Sequence, residues 1–167
     1  MKENKKKSLK EFLDKDLVFY IEDTIKKDHL FEFVFNKIED IYPEIKPIEA
    51  LKESILKKEK EIPNITAIGN YLAIPHGIFF DYSYSKEIIL VAVFIKGGVE
   101  DYISEFDDRE VKFLFLIGYN QDAYCTKRTE ILPLITSIFM EENNINYLLK
   151  SESSEDFYNR LIELCSQ

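Results

Sequence analysis

Two nearly unbroken apolar runs set the tightest limit on what this chain can fold into: Ile88-Ile-Leu-Val-Ala-Val-Phe-Ile95 and Val111-Lys-Phe-Leu-Phe-Leu-Ile117. A strand with one face in water alternates apolar and polar residues. A run without alternation needs cover on both faces. Two such strands therefore call for layers of helix above and below a sheet. The helices are at hand. Leu30, Phe31, Phe33, Val34 and Ile38 recur at spacings of three and four, as do Ile48, Leu51, Ile55 and Leu56, then Ile131, Leu134, Ile135 and Ile138, and finally Phe157, Leu161, Ile162 and Leu164. Leu17-Val-Phe-Tyr-Ile21 reads as a first strand, and Leu72-Ala-Ile74 as a short one ended by Pro75, which has no N–H to give a ladder. The expectation is an α/β fold: a mixed β-sheet flanked by helices on both faces, in a single domain over residues 15–167, after a charged tail or short helix at 1–14.

Punctuation refines the outline. Gly97-Gly98 is expected to end the first apolar run, and the stretch after His76 through Tyr84 to be irregular. Pro43 and Pro47 bracket a turn. Asp23 or Thr24 is the expected cap of the first long helix, and the serines from Ser151 to Ser154 cap the last. Pro133 is expected in a first helical turn or at a kink. Asp107 and Asp108 read as turn residues.

Composition excludes several functions. With 31 acidic and 22 basic residues the net charge is −9, a field that opposes nucleic acid and anionic lipid surfaces. Two cysteines, Cys125 and Cys165, suit reduced thiols better than a disulfide framework. Neither they nor the two histidines have zinc-site spacing, and no calcium-loop pattern is present. No apolar run reaches membrane-spanning length, and the basic start leads into no signal-peptide core, so a cytoplasmic chain is expected, without membrane insertion.

The chemistry concentrates in Thr66-Ala-Ile-Gly-Asn-Tyr-Leu-Ala-Ile-Pro-His-Gly77, which delivers His76 at the end of a short strand with a glycine beside it. A rigidly held imidazole next to open space suits nucleophilic work near neutral pH. A His after a strand is, taken alone, more often a surface or satisfied core residue. The longer string resembles the active-site segment of the type-2 IIA domains of the bacterial sugar phosphotransferase system (fructose, mannitol and nitrogen-regulatory branches). Thr66, Ile68, Gly69, Asn70, Ala73, Ile74, Pro75, His76 and Gly77 all match that pattern.

The resemblance implies a phosphocarrier. His76 would accept a phosphoryl group from a histidine-phosphocarrier protein and pass it to a IIB partner, with no cofactor of its own. The alternative within the resemblance is a regulatory, nitrogen-type module whose phosphorylation state controls protein binding. The family's Arg-Glu pair falls on Lys60-Glu61, so Lys60 is the expected phosphoryl-stabilising cation, joined by the Thr66 hydroxyl and by Asn70. Thr66 and Asn70 also suit turn chemistry, and both roles stand open. A second histidine, common in the family, would fall near Glu130 or Ile131, and none is there. His29 reads as a surface residue at a helix start. Ile78, Phe79, Phe80 and Tyr82, which follow the site, are candidates for a partner-docking contact or for core. Cys125 reads as incidental.

Overall fold

Both apolar runs become the long central strands of one mixed sheet. The structure, a computed structural model, describes residues 7–43, 48–80 and 87–166. The strands are β1 (Val18–Ile21), β2 (Ala67–Gly69), β3 (Leu72–Ala73), β4 (His76–Phe79), β5 (Ile88–Ile103) and β6 (Glu110–Asn120). The helices are α1 (Lys27–Ile41), α2 (Ile48–Glu61), α3 (Tyr124–Phe139), α4 (Glu142–Leu149) and α5 (Ser154–Cys165). The sheet order is β1-β5-β6-β3-β2, with β4 pairing β6 beyond β3. Pairings β1–β5, β3–β6 and β4–β6 are parallel, whereas β5–β6 and β2–β3 are antiparallel.

The missing alternation is explained by two cores. Val91, Val93, Ile95, Leu114 and Leu116 meet α1 and α2 on one face. Leu90, Ala92, Phe94, Phe113, Phe115, Ile117 and Tyr119 meet α3, α4 and α5 on the other. Each strand splits its side chains by parity between the two layers. The expected α/β sandwich is what forms. Leu9 is buried in the second core and the Ser8 hydroxyl bonds the Cys165 carbonyl at 3.3 Å, so residues 8–14 pack on the same body. The expected tail at 1–6, most of the turn up to Pro47, and Tyr82 lie outside the described residues.

Four expectations change. Gly97-Gly98 does not end a strand. β5 runs on to Ile103 through a register shift between Phe94 and Val99, with Gly98 at φ 78°. That is a bulge. It brings the 23–25 segment against Gly97, where an added Cβ would lie 2.3 Å from the Thr24 backbone nitrogen. Second, the described part of the segment after His76 is not irregular: β4 pairs with β6 at once, and 81–84 lie outside the described residues. Third, α3 begins at Tyr124 and carries Pro133 in its interior rather than in its first turn. Fourth, neither Asp23 nor Thr24 caps α1. The Lys27 N–H donates instead to the Asp101 carboxylate of β5 at 2.7 Å, while the Thr24 hydroxyl donates to the Gly97 carbonyl at 2.9 Å.

Beneath α1 and α2 lies a buried polar cluster. Glu59, 7% exposed, receives the Lys27 ammonium and the Thr66 hydroxyl, and Tyr102 closes the group. Lys27 also donates to the Asn64 side-chain oxygen at 2.9 Å and sits 4.4 Å from the Tyr102 ring centre. Burial, reinforced by the Glu59 charge, pushes the Tyr102 hydroxyl well above its usual range, so it is a neutral donor. The cluster joins α1, α2, β5 and the loop leading to β2.

Two outcomes follow for stability. Gly97→Ala forces a methyl into backbone that cannot retreat and should cost about 3 kcal/mol or more in urea unfolding. Lys27→Met strands the Glu59 carboxylate without a counter-charge and should cost about 3–5 kcal/mol. The double variant Lys27→Met, Glu59→Met should recover part of that loss, and no recovery would show that the charge pair is not what the cluster depends on.

Candidate functional site

The site is built where Pro75 interrupts the strand beside β6. β3 pairs through Leu72↔Phe113 and Ala73↔Leu114, and β4 resumes at His76↔Ile117. Between them Ile117 donates its N–H to the Pro75 carbonyl at 3.0 Å, which holds the interruption in place. On the edge away from β6 the Ile74 carbonyl lies 3.2 Å from His76 Nδ1. A carbonyl only accepts, so Nδ1 carries the proton and the lone pair resides on Nε2. The backbone two residues upstream thus fixes the tautomer and the ring orientation together.

Gly77 has a packing reason. A Cβ there would lie 2.9 Å from both Ile55 Cγ1 and Ser54 Oγ of α2. Without it, α2 packs directly on β4. Two of its side chains then serve the outward edge of that strand: Ser54 Oγ accepts from the Ile78 N–H at 3.2 Å, and Lys58 Nζ donates to the His76 carbonyl at 3.4 Å.

On the other face the imidazole reaches α3 only through Tyr119 of β6. Its ring lies 6.3 Å from that of Tyr119, edge to face, and Tyr119 is 5.5 Å from Tyr124 in the same manner. Arg128, one turn further along α3, lies 4.8 Å from the Tyr124 ring centre and donates from Nη1 to the Tyr124 hydroxyl at 2.9 Å. The His76 pKa is lowered from its ordinary value of 6.5, chiefly by burial, with Lys58 and Arg128 adding to the effect against the Ile74 carbonyl. A neutral imidazole with a free Nε2 is therefore the resting state at neutral pH.

The expected supporting residues are placed elsewhere. Lys60 is exposed on a groove of α2 with Glu53, Leu56 and Lys57, and the cation of that helix beside His76 is Lys58. Two residues along a helix turn the side chain to the opposite face, so the family's spacing does not carry over to the geometry. The Thr66 hydroxyl is engaged inside the buried cluster, donating to Glu59 and meeting the Tyr102 hydroxyl. Asn70 turns the β2–β3 hairpin. Asn70 and Tyr71 have φ 54° and 65°, as its two-residue turn requires, and the Asn70 side-chain nitrogen donates to the Phe139 carbonyl at 3.1 Å. Asp107 accepts the Asn70 N–H at 2.7 Å, and Asp108 has φ 55°, so the expected turn residues also brace the hairpin.

Of the α3 side chains, the one whose charge His76 feels is Arg128. Glu130 is engaged by Lys7 and Lys127, each at 3.3 Å, and these hold its carboxyl below the usual range. Ile131 is core. A signal existed in the sequence: Tyr124, Arg128, Ile131, Ile135 and Ile138 repeat at four and three, which extends the apolar stripe back to Arg128. Phe79 is fully buried, Ile78 is half-buried, and Phe80 is 42% exposed beside the site. His29 is exposed near the start of α1, as expected. Among the described residues no group of His, Cys, Asp and Glu has the arrangement of a metal site.

Known proteins share both the sequence pattern and the fold. The family model for the phosphoenolpyruvate-dependent sugar phosphotransferase system, EIIA 2, matches residues 11–164. The chain is 32% identical over 98 residues to the mannitol-specific phosphotransferase enzyme IIA component of Halalkalibacterium halodurans, which covers 59% of this chain and 61% of that protein. The nitrogen regulatory protein IIA-Ntr of Neisseria meningitidis superposes with a TM-score of 0.67 at 19% identity, covering 90% of this chain and 97% of the other. The mannitol-specific cryptic IIA enzyme CmtB of Escherichia coli gives 0.70 at 13%, over 94% and 99%. A complex of enzyme IIAMTL and phosphorylated enzyme IIBMTL from Escherichia coli gives 0.64 at 18%, over 90% and 97%. The structural likenesses speak for the fold. The sequence match decides the family: the chain belongs to the EIIA 2 family of the phosphoenolpyruvate-dependent sugar phosphotransferase system.

Proposed function

We propose that this protein is a phosphocarrier that takes a phosphoryl group onto His76 Nε2 from a phosphohistidine carrier protein and hands it to a IIB partner. The observation that carries this reading is the Nδ1–H donated to the Ile74 carbonyl, which leaves Nε2 as the free lone pair. In the transfer, that lone pair forms the new N–P bond while the donor's N–P bond breaks, its electron pair returning to the donor nitrogen. The Nδ1 proton stays against the Ile74 carbonyl, so the ring is cationic beside the phosphoryl dianion until that proton leaves to solvent. Lys58, anchored on the His76 carbonyl, supplies fixed positive charge close by.

The order of partners follows the family and the solved IIA–IIB complex described above. Phe80 and Ile78 offer an apolar contact for a docked carrier, which must bring its own phosphohistidine close to Nε2 in a dehydrated interface. The work is assigned to the cytoplasm, where the phosphohistidine donors of this system reside. No described helix is long and apolar enough to cross a membrane.

Incubation with phosphoenolpyruvate, the general phosphotransferase enzyme and a histidine carrier should label His76 alone, at Nε2, as mapped by two-dimensional nitrogen–phosphorus NMR. Label on His29, on Nδ1, or persisting in His76→Ala overturns the assignment. Because the His76 pKa is lowered, its neutral form is retained below pH 6.5, and the acid limb of the phosphorylation rate should fall below that value. The sign is the same for stability: the contribution of His76 is present above the unfolded value and is lost as pH falls through the lowered one. Lys58→Gln should move the limb upward towards 6.5 and slow loading. Lys60→Gln should do neither, and the reverse ranking would restore Lys60 to the site.

A further inference from the structure

In a chain of net charge −9, a half-buried arginine without a carboxylate partner is conspicuous. Among the described residues Arg128 makes one hydrogen bond, to the Tyr124 hydroxyl, and no ion pair. That bond uses one of the five guanidinium N–H groups and, with the ring contact, fixes the plane of the guanidinium against α3. A second group is unfinished at the same place. Tyr119 is fully buried, and its hydroxyl is the one buried side-chain polar atom among the described residues without a hydrogen-bond partner. A buried orphan hydroxyl is costly, so it needs an explanation. Its surroundings supply one: the ring stands against His76, and the charge and hydroxyl it feels are those of Arg128 and Tyr124.

We infer that Arg128 and the Tyr119 hydroxyl form the phosphoryl-binding grip of this protein, donating to the oxygens of the group carried on His76 Nε2. The inference rests on the reading of His76 as the acceptor and adds the residues that hold the transferred group. Arg128 is set for a tetrahedral dianion. Its remaining donors are free, its position is fixed by Tyr124, and it approaches from the α3 side while Lys58 approaches from α2. The Tyr119 hydroxyl gains its missing partner when the phosphoryl group arrives. Neither residue lies in the Thr66–Gly77 segment.

The test uses the whole protein and a small donor, phosphoramidate, so that carrier docking plays no part. His76 attacks phosphorus, the donor P–N bond breaks and ammonia leaves. Loading and hydrolysis are followed by phosphorus NMR. Arg128→Gln should slow loading about tenfold to a hundredfold, and the second ionisation of the bound phosphoryl group should move to higher pH, because the cation favouring the dianion is gone. Arg128→Lys should recover part of both effects. Tyr119→Phe should leave the thermal midpoint of the unphosphorylated protein unchanged or raised, since no hydrogen bond is lost, yet shorten the lifetime of the phosphoprotein. Arg128→Gln that loads at the parent rate with an unshifted phosphoryl titration overturns the grip while His76 stands as acceptor. A parent protein that takes no label on His76 overturns the acceptor reading itself, and the grip with it. If Tyr119→Phe lowers the thermal midpoint and leaves the phosphoprotein lifetime unchanged, Tyr119 is a packing residue and is removed from the grip.

Discussion

One hydrogen bond governs this site, from the His76 Nδ1–H to the Ile74 carbonyl. Along β3 and β4 the backbone groups alternate in direction: the Pro75 carbonyl faces β6 and accepts from Ile117, whereas those of Ile74 face away from it, the N–H donating to the Thr66 carbonyl. The Ile74 carbonyl, on the edge away from β6, meets the imidazole. Tautomer, ring direction and the placing of Nε2 all follow from that contact. Gly77 completes the site by letting α2 pack close enough for Lys58 to reach the His76 backbone.

Electrostatically the molecule separates two tasks. The Lys27–Glu59–Thr66–Tyr102 cluster pairs its buried carboxylate with a cation and hydroxyls, and it serves to tie the helices to the segment that leads into β2. Around His76 the opposite holds. Lys58 and Arg128 have no carboxylate partner among the described residues, although the chain carries many more acidic groups than basic ones. The acidic residue nearest in sequence to Arg128 is taken up by Lys7 and Lys127. The surplus of negative charge is thus kept from cancelling the few cations that an incoming anion would meet.

The fold was legible in the sequence because unbroken apolar runs have one physical solution, burial on both faces, and Ile88–Ile95 and Val111–Ile117 are such runs. Their ends were not legible. Gly97-Gly98 reads as a stop, but a strand tolerates glycines where a neighbouring segment presses on its backbone, and β5 continues through them. Gly118 likewise concealed the last residues of β6, among them Tyr119. The motif singled out His76, whereas the cation that lies beside it was not legible. Motif spacing pointed to Lys60, yet helical phase places Lys58 beside the imidazole, and phase is fixed only once α2 is docked. Arg128 was not linked to His76, because nothing in the sequence says which side chain at the start of that helix is docked towards the imidazole. Thr66 and Asn70 suited two uses in the sequence, and in the fold the Thr66 hydroxyl bonds Glu59 while the Asn70 side chain bonds the Phe139 carbonyl.

α2 does more than cover a core. Ser54 and Lys58 occupy the outward N–H of Ile78 and the outward carbonyl of His76, the groups through which an exposed strand recruits another. The helix in effect stands in for a missing neighbour strand. Enlargement of the sheet by an extended peptide is thereby closed off at the reactive edge. A partner must instead meet His76 through side chains and surface shape, a contact that forms and dissolves without unzipping any backbone ladder. For the carrier proposed above, exchanging one partner for another at a single nitrogen, that would keep release as easy as capture.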